Sequence, residues 1–448
     1  MLKQNGSAKS NETVKQFSRS KEKEFSARNS LLTDLFENKH IRTVYHMFIA
    51  TLIGLFVNTA VYDYFKKEEI TFGVRLIKQS FGKIHIVAVL WLGYFTLTCL
   101  VYHLYKFWAQ QRVFFPKLSH LKLWNLFGLT VLGFYYISMF TITSYIVTYF
   151  ALPPASACIV LCEQTRFLMK IHSFVRNTCP RKPHTEPATT PNFRNFLYFL
   201  FVPTLVYRET YPRREKIDWT FVCFRVLECV GVLFFMSFVI DRFLNPTIQD
   251  FGLRPFTVKE IILGIFENTI TGALLLLPMF FIILHSWQNL CAELTRFGDR
   301  LFYLDWWTCT DYSGYFRKWN IIVQDWLYLY VYRESSETVY KGNLWFAKFA
   351  VFLISAIVHE WILTFMFGFF FPLLFVEFLV FGSIFNFLGA PKTPLFNILF
   401  WYSLCLGVAT LVTMYGIEFY ARINAPLENP TFFENLLPRF LTCDCLEL

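Results

Sequence analysis

The sequence predicts an all-α, polytopic membrane protein with eight or nine transmembrane helices, and three observations carry that reading. Its 448 residues are 55% hydrophobic and 20% aromatic with only 17% charge, and the mean hydropathy is +0.40, too apolar for an ordinary soluble domain. Apolar runs of roughly 20 residues, the length that crosses ~30 Å of hydrocarbon, recur along the chain. Lys and Arg outnumber Asp and Glu by 42 to 32, an excess that suits loops on the cytoplasmic side of a bilayer. No DNA-reading motif accompanies the basic charge, so the expected partner is membrane lipid and not nucleic acid.

Taken in order, residues 1–29 are rich in Lys, Ser, Asn and Glu and nearly devoid of apolar side chains, which predicts a disordered cytoplasmic tail. No apolar core marks a signal peptide there. Leu31, Leu32, Leu35 and Phe36 give a short amphipathic helix for the membrane surface or a partner subunit. Spans are predicted at Thr43–Tyr62, Ile84–Tyr105, Trp124–Phe150, Trp219–Ile240, Ile261–Leu284, Phe346–Phe370, Pro372–Leu388 and Leu395–Tyr415. Tyr315–Tyr332 alternates aromatic with polar residues and is the candidate for a ninth, partly buried helix. Pro153 and Pro154 end the third span. A helix with Glu163, Arg166, Lys170 and Arg176 on one side and Phe167, Leu168, Ile171 and Phe174 on the other follows, and reads as interfacial. Cys179–Pro191 is a Pro-rich linker. There is no internal repeat, so residues 30–448 are read as one membrane domain behind the tail.

Charges inside the spans have simple readings. Arg225 and Glu228 lie three apart and can pair, whereas Glu267 and Asn268 either line a cavity or make a packing contact. The 11 cysteines show no C-x-x-C spacing, which suggests buried thiols and neither a disulfide framework nor a zinc site. The last four residues, Cys445-Leu446-Glu447-Leu448, formally fit a prenylation box, but the acidic third residue fits poorly and a many-span chain gains little from one lipid.

The candidate active site is the stretch from Phe302 to His359. It opens on Phe302-Tyr303-Leu304-Asp305-Trp306-Trp307, passes through Gly314-Tyr315-Phe316-Arg317-Lys318-Trp319-Asn320 and the tyrosines Tyr328, Tyr330 and Tyr332, and closes on Ser355-Ala356-Ile357-Val358-His359-Glu360. An ionisable residue at membrane depth is a functional hypothesis by default. Histidine suits the abstraction of a hydroxyl proton near neutral pH. Asn320 offers an amide N–H to a developing oxyanion or to a carbonyl awaiting attack. Glu360, adjacent on the helix, points elsewhere and is a poor orienter for the imidazole. Ser355 lies one turn before His359 on the same face.

These residues, together with His40-Ile41-Arg42-Thr43-Val44-Tyr45-His46-Met47-Phe48, Leu152–Ser156, His172–Arg176, Tyr207–Arg213, Arg296–Arg300 and Asn429-Pro430-Thr431-Phe432, resemble the sterol O-acyltransferases of the membrane-bound O-acyltransferase superfamily from about Ser30 onward. The resemblance implies an all-helical fold, usually of nine spans, assembled as homodimers or homotetramers in the endoplasmic reticulum membrane with a cytoplasmic N-terminus. It implies esterification of a sterol hydroxyl by acyl-CoA, a substrate and not a cofactor, with no metal. By the same resemblance His359 is the catalytic histidine with Asn320 its companion. Arg317, Asn320, Tyr332 and Ser355 line the acyl-CoA path, and His40 faces the sterol. Two positions depart from the pattern: Thr308 follows the F-Y-x-D-W-W box where Asn is usual, and Gln324 precedes Asp325-Trp326-Leu327-Tyr328 where His is common. A diacylglycerol or fatty-alcohol acyltransferase is the nearest alternative, and a lipid transporter or silent scaffold a more distant one. Transporters commonly show two related halves, and none are present.

Overall fold

The computed structural model describes residues 23–67, 74–115, 117–179, 190–382, 384, 390–427, 436–443 and 445–447. In chain order the helices are α1 (Leu31–Leu35), α2 (Lys39–Lys67), α3 (Val74–Ser80), α4 (Ile84–Gln111), α5 (Leu118–Tyr149), α6 (Pro154–Thr178), α7 (Phe193–Phe201), α8 (Trp219–Val239), α9 (Val258–Glu267), α10 (Thr269–Phe280), α11 (Gln288–Leu294), α12 (Tyr312–Lys318), α13 (Ile321–Leu327), α14 (Leu344–Phe367), α15 (Leu373–Val376) and α16 (Pro394–Asn424). Wider π turns extend α8, α10, α13 and α15. The all-helical membrane architecture expected from the apolar runs is present.

Seven helices among the described residues are long and apolar enough to cross a bilayer: Lys39–Phe65, Ile84–Phe114, Leu118–Tyr149, Trp219–Ile248, Thr269–Leu294, Leu344–Phe367 and Pro394–Asn424. The eighth expected span, Pro372–Leu388, starts as α15 and its π turn Glu377–Phe381, and most of its remainder lies outside the described residues. The candidate ninth, Tyr315–Tyr332, is broken at Trp319–Asn320, where Asn320 leaves helical backbone and starts α13 as its N-cap. The fifth span is likewise split at Asn268, between α9 and α10. The Asn268 amide donates to Thr247 Oγ1 (2.9 Å) and Thr413 Oγ1 (3.1 Å), so the packing reading of that residue holds.

Helix α6 is not interfacial. It packs against α4, α5 and α14, with Phe167, Ile171 and Phe174 buried together with Gln164, Lys170 and Ser173. Its charges are neutralised inside the protein. Lys170 Nζ donates to the carbonyls of Phe199 (2.5 Å) and Val202 (2.8 Å) at the end of α7. Arg166 pairs with Glu163 at 2.7 Å and donates to the Leu200 carbonyl at 2.6 Å. A polar side that looks solvated in sequence is therefore spent on the last carbonyls of a neighbouring helix.

Against α16, α10 comes so close at Gly272 that an added Cβ would lie 2.9 Å from the Ala409 nitrogen and the Cys405 oxygen. A smaller core lies around Phe251, Phe256, Phe369, Phe371, Tyr415 and Phe440. There the short strands β1 (Phe256–Thr257) and β2 (Leu446–Glu447) pair in parallel, and the buried Glu418 carboxylate accepts from the backbone of Arg439 (2.8 Å) and Phe440 (3.0 Å). Cys443 and Cys445 are joined in a disulfide, and the other nine cysteines are free thiols, in keeping with the expectation of thiols at most positions. Cys445 thus has no thiol to prenylate. The Asn429–Phe432 motif and most of the Pro-rich linker fall outside the described residues.

The tail boundary also moves. From Lys23 onward the chain is packed on the body: Arg28 binds Asp299 through Nε (2.8 Å) and Nη2 (3.2 Å), and Phe25 meets Tyr211 edge-on at 5.1 Å. Composition hid this arm because its one large apolar side chain is Phe25, with charge pairs supplying the rest.

Candidate active site

The asparagine cap of α14, Asn343 Oδ1 accepting from Phe346 N at 2.9 Å, starts the helix that carries His359, and Gly368 ends it in the left-handed conformation at φ 78°. One turn before the histidine, the Ser355 carbonyl accepts a hydrogen bond from His359 Nδ1 at 2.7 Å. A carbonyl only accepts, so Nδ1 carries the proton and Nε2 keeps its lone pair. The ring stacks on Phe378 of the π turn after α15, at 5.1 Å and 21°, and remains exposed on its other side. Glu360 is spent elsewhere: its carboxylate, in a residue only 5% exposed, accepts from Phe375 N (3.1 Å) and sits 3.2 Å from the Tyr415 hydroxyl. The residue type and spacing alone had already set Glu360 aside, and the main-chain carbonyl supplies the orienting group that the sequence lacked.

The F-Y-x-D-W-W box is a core element and not a polar surface patch. Trp306 is 1% exposed, ringed by Phe280, Trp307, Tyr315, Trp319 and Trp401 at centroid distances of 4.7–5.9 Å. Trp319 in turn touches Phe280 at 5.4 Å, which fixes the chain at the α12–α13 break. Asn320 follows directly. Its Oδ1 accepts from Val323 N at 3.2 Å, so the cap consumes the oxygen and leaves the amide Nδ2 with no hydrogen bond among the described residues. Arg317 projects exposed from the last turn of α12. Lys318, the next residue, pairs with Asp305 at 3.0 Å. Desolvation opposes ionisation of Asp305, but hydrogen bonds from Lys318 and Thr308 outweigh it and hold the carboxyl below its usual range. Tyr332 stacks on Tyr328 at 5.6 Å, whereas Tyr330 turns inward to Ser173 Oγ at 2.8 Å.

The profile of the membrane-bound O-acyltransferase family matches residues 74–417, which include all of this site. The chain belongs to the membrane-bound O-acyltransferase family. It is similar to sterol O-acyltransferase 1 of Mus musculus (40% identity over 435 residues, 94% of this chain and 79% of the relative). Similar figures hold for sterol O-acyltransferase 1 of Cricetulus griseus (40% over 439 residues, 94% and 79%) and sterol O-acyltransferase 2 of Homo sapiens (37% over 429 residues, 94% and 81%).

As an acyltransferase of this family, the chain brings His359, Ser355 and the π turn of Phe378 together. Phe316, the residue before Arg317 on α12, lies 5.3 Å from both Phe352 of α14 and Phe378. No hydrogen bond joins Asn320 to His359 among the described residues. His40 is not part of this constellation. It lies exposed in the first turn of α2, its backbone N–H on Asn38 Oδ1 at 2.9 Å, and α2 packs on α8. Thr308 donates its hydroxyl to the Asp305 carbonyl at 2.7 Å and closes the box locally. The Gln324 side chain is half-buried in α13.

One functional-looking residue escaped the sequence reading. His285 is fully buried, with Nδ1 2.7 Å from the Tyr303 hydroxyl and Nε2 2.7 Å from Arg225 Nη1. Arg225 pairs with Glu228 at 2.7 Å, as their spacing suggested, and Glu228 accepts from Tyr45 and Ser286 at 2.6 Å each. The cluster ties α2, α8 and the π turn after α10 to Tyr303 of the box. Its signal in sequence was the run Leu284-His285-Ser286 at the end of a predicted span.

Proposed function

We propose that this acyltransferase moves an acyl chain from acyl-CoA to a sterol hydroxyl, with His359 as general base. The observation that carries the reading is the His359 Nδ1–Ser355 carbonyl bond, which presents a neutral Nε2 on a membrane-spanning helix. Nε2 takes the hydroxyl proton as the oxygen attacks the thioester carbon. The oxyanion is met by the free Nδ2–H of Asn320, and its collapse expels the CoA thiolate, which receives the proton from the imidazolium. Water is excluded by the span that holds the base. Transfer is direct: the imidazole engages the Ser355 carbonyl and not its hydroxyl, so no serine–histidine dyad is formed, and the thioester is already activated. Arg317, Tyr332 and Ser355 belong to the donor path, where an exposed guanidinium suits phosphate oxygens. The reading needs neither metal nor cofactor. It places the chain as a homodimer or homotetramer in the endoplasmic reticulum membrane, N-terminus cytoplasmic. The sterol class is supported by the 37–40% identity to sterol O-acyltransferases.

The test is a microsomal assay offering labelled oleoyl-CoA with sterol, diacylglycerol or fatty alcohol in parallel. Sterol ester as the dominant product is expected. Preferential labelling of triacylglycerol or wax ester would overturn the acceptor assignment, and a denaturation-stable acyl ester on Ser355 that turns over with the reaction would overturn direct transfer.

A further inference from the structure

We propose that residues 23–29 form a releasable clamp on the donor side of the site, and that Ser26 is the position at which phosphorylation releases it. The proposal takes the donor side from the reading above. The arm grips two pieces of the body at once. Lys23 pairs with Asp325 of α13, the helix that Asn320 caps, and Phe25 packs against the cluster of Val206, Leu329 and Tyr330. Further along, Arg28 N donates to the Gly298 carbonyl at 2.9 Å and the Arg28 carbonyl accepts from Arg300 N at 3.3 Å, so the arm runs beside the loop that leads into the F-Y-x-D-W-W box.

The weak point of the clamp is Asp299. Its carboxylate is 3% exposed and accepts from Ser26 N (3.2 Å), Arg28 Nε (2.8 Å), Arg28 Nη2 (3.2 Å) and Leu301 N (3.3 Å). Its cation is thus supplied by the arm, and losing that partner strands a buried charge. Ser26 itself is exposed, with Lys23 three residues before it and Arg28 two after, the basic flanks that a basic-directed protein kinase reads. In the modification, Ser26 Oγ bonds to the γ-phosphorus of a nucleoside triphosphate, the bridging P–O bond to the nucleoside diphosphate breaks, and the hydroxyl proton passes to the kinase's base. The product adds about −1.5 to −2 of charge beside the Asp299 carboxylate and competes for Arg28. Burial also pushes the Asp325 carboxyl up, with Lys23 acting against it, so release of Lys23 leaves a poorly solvated acid on α13.

The experiment uses the full chain in nanodiscs, with hydrogen exchange read by mass spectrometry and acyl-transfer kinetics on the same samples. Ser26→Glu, or stoichiometric phosphorylation, should raise exchange over residues 23–29 and 321–332 and raise KM for acyl-CoA about five-fold, with kcat and the acceptor KM unchanged, while Ser26→Ala behaves as wild type. Lys23→Asp should raise exchange over 321–332, and adding Asp325→Lys should restore it. Unchanged exchange at 321–332 in Ser26→Glu, or no restoration by the double charge reversal, overturns the clamp. Altered exchange in a chain that forms no sterol ester supports the clamp and defeats the proposed activity instead.

Discussion

His359, Asn320 and His285 occupy three different chemical situations, and each predicts a different outcome on substitution. His359→Ala should lower ester formation at least ~10²-fold, the usual contribution of a positioned base, at unchanged chain abundance by immunoblot. A loss under about tenfold would place the base elsewhere. For Asn320 the informative change is to aspartate. Asn320→Asp keeps an oxygen for the Val323 N–H and so keeps the cap, but it removes the amide donor, worth ~3 kcal/mol to an oxyanion; catalysis should fall while detergent melting temperature holds. His285→Ala should do the reverse at first order. It takes the imidazole partner from Arg225 Nη1 and from the Tyr303 hydroxyl, at ~1–3 kcal/mol for each buried polar atom that loses its hydrogen bond, so a clear drop in melting temperature is expected, and an unchanged one would refute the structural reading of that cluster. Sequence offered His359 and Asn320 as candidates through residue type and position, and the family resemblance supplied their expected roles. It could not expose the Ser355 carbonyl, since a main-chain acceptor has no letter, nor His285, whose partners Arg225 and Tyr303 come from other segments of the chain.

At the level of helices, what was legible depended on where the polar groups go. The spans that face lipid were found because every exposed position must be apolar, whereas α6 was misplaced because its Arg166 and Lys170 reach carbonyls at the end of α7 and its Glu163 meets Arg166 and Trp91 instead of water. The breaks at Asn268 and Asn320 were invisible to a hydropathy reading, because a cap interrupts the backbone without interrupting the apolar pattern. The α10–α16 crossing gives a direct test. Gly272→Ala puts a methyl 2.9 Å from backbone atoms of Ala409 and Cys405, which no side-chain rotation relieves, so the helices must separate and other contacts along the seam loosen. A loss of ~1–3 kcal/mol is expected, read as a lower melting temperature for Gly272→Ala than for Gly54→Ala, where nothing lies within 4 Å. Equal melting temperatures for the two would contradict the close crossing.

Over the molecule as a whole, the fold class was readable from apolar content, and seven long apolar helices among the described residues fit the expected eight or nine crossings once α12, α13 and the turn after α15, short pieces folded in among the spans, are set apart. Orientation follows from the donor's chemistry: acyl-CoA is polyanionic and cannot cross the bilayer, so the exposed Arg317 and the N-terminal arm should share the cytosolic side. An epitope placed before Lys23 should be digested by protease added to sealed microsomes, and its protection would reverse the assigned orientation. The ring of aromatic groups around Trp306 also makes the folded state optically distinctive. Indoles held edge-on within 6 Å of one another couple their transitions, and a rigid, chiral arrangement of them gives a near-ultraviolet circular dichroism band that a loosened core loses. Because the same ring fixes the backbone at Asn320, that band would report, in any detergent and before any substrate is added, whether the cap of α13 is still in place.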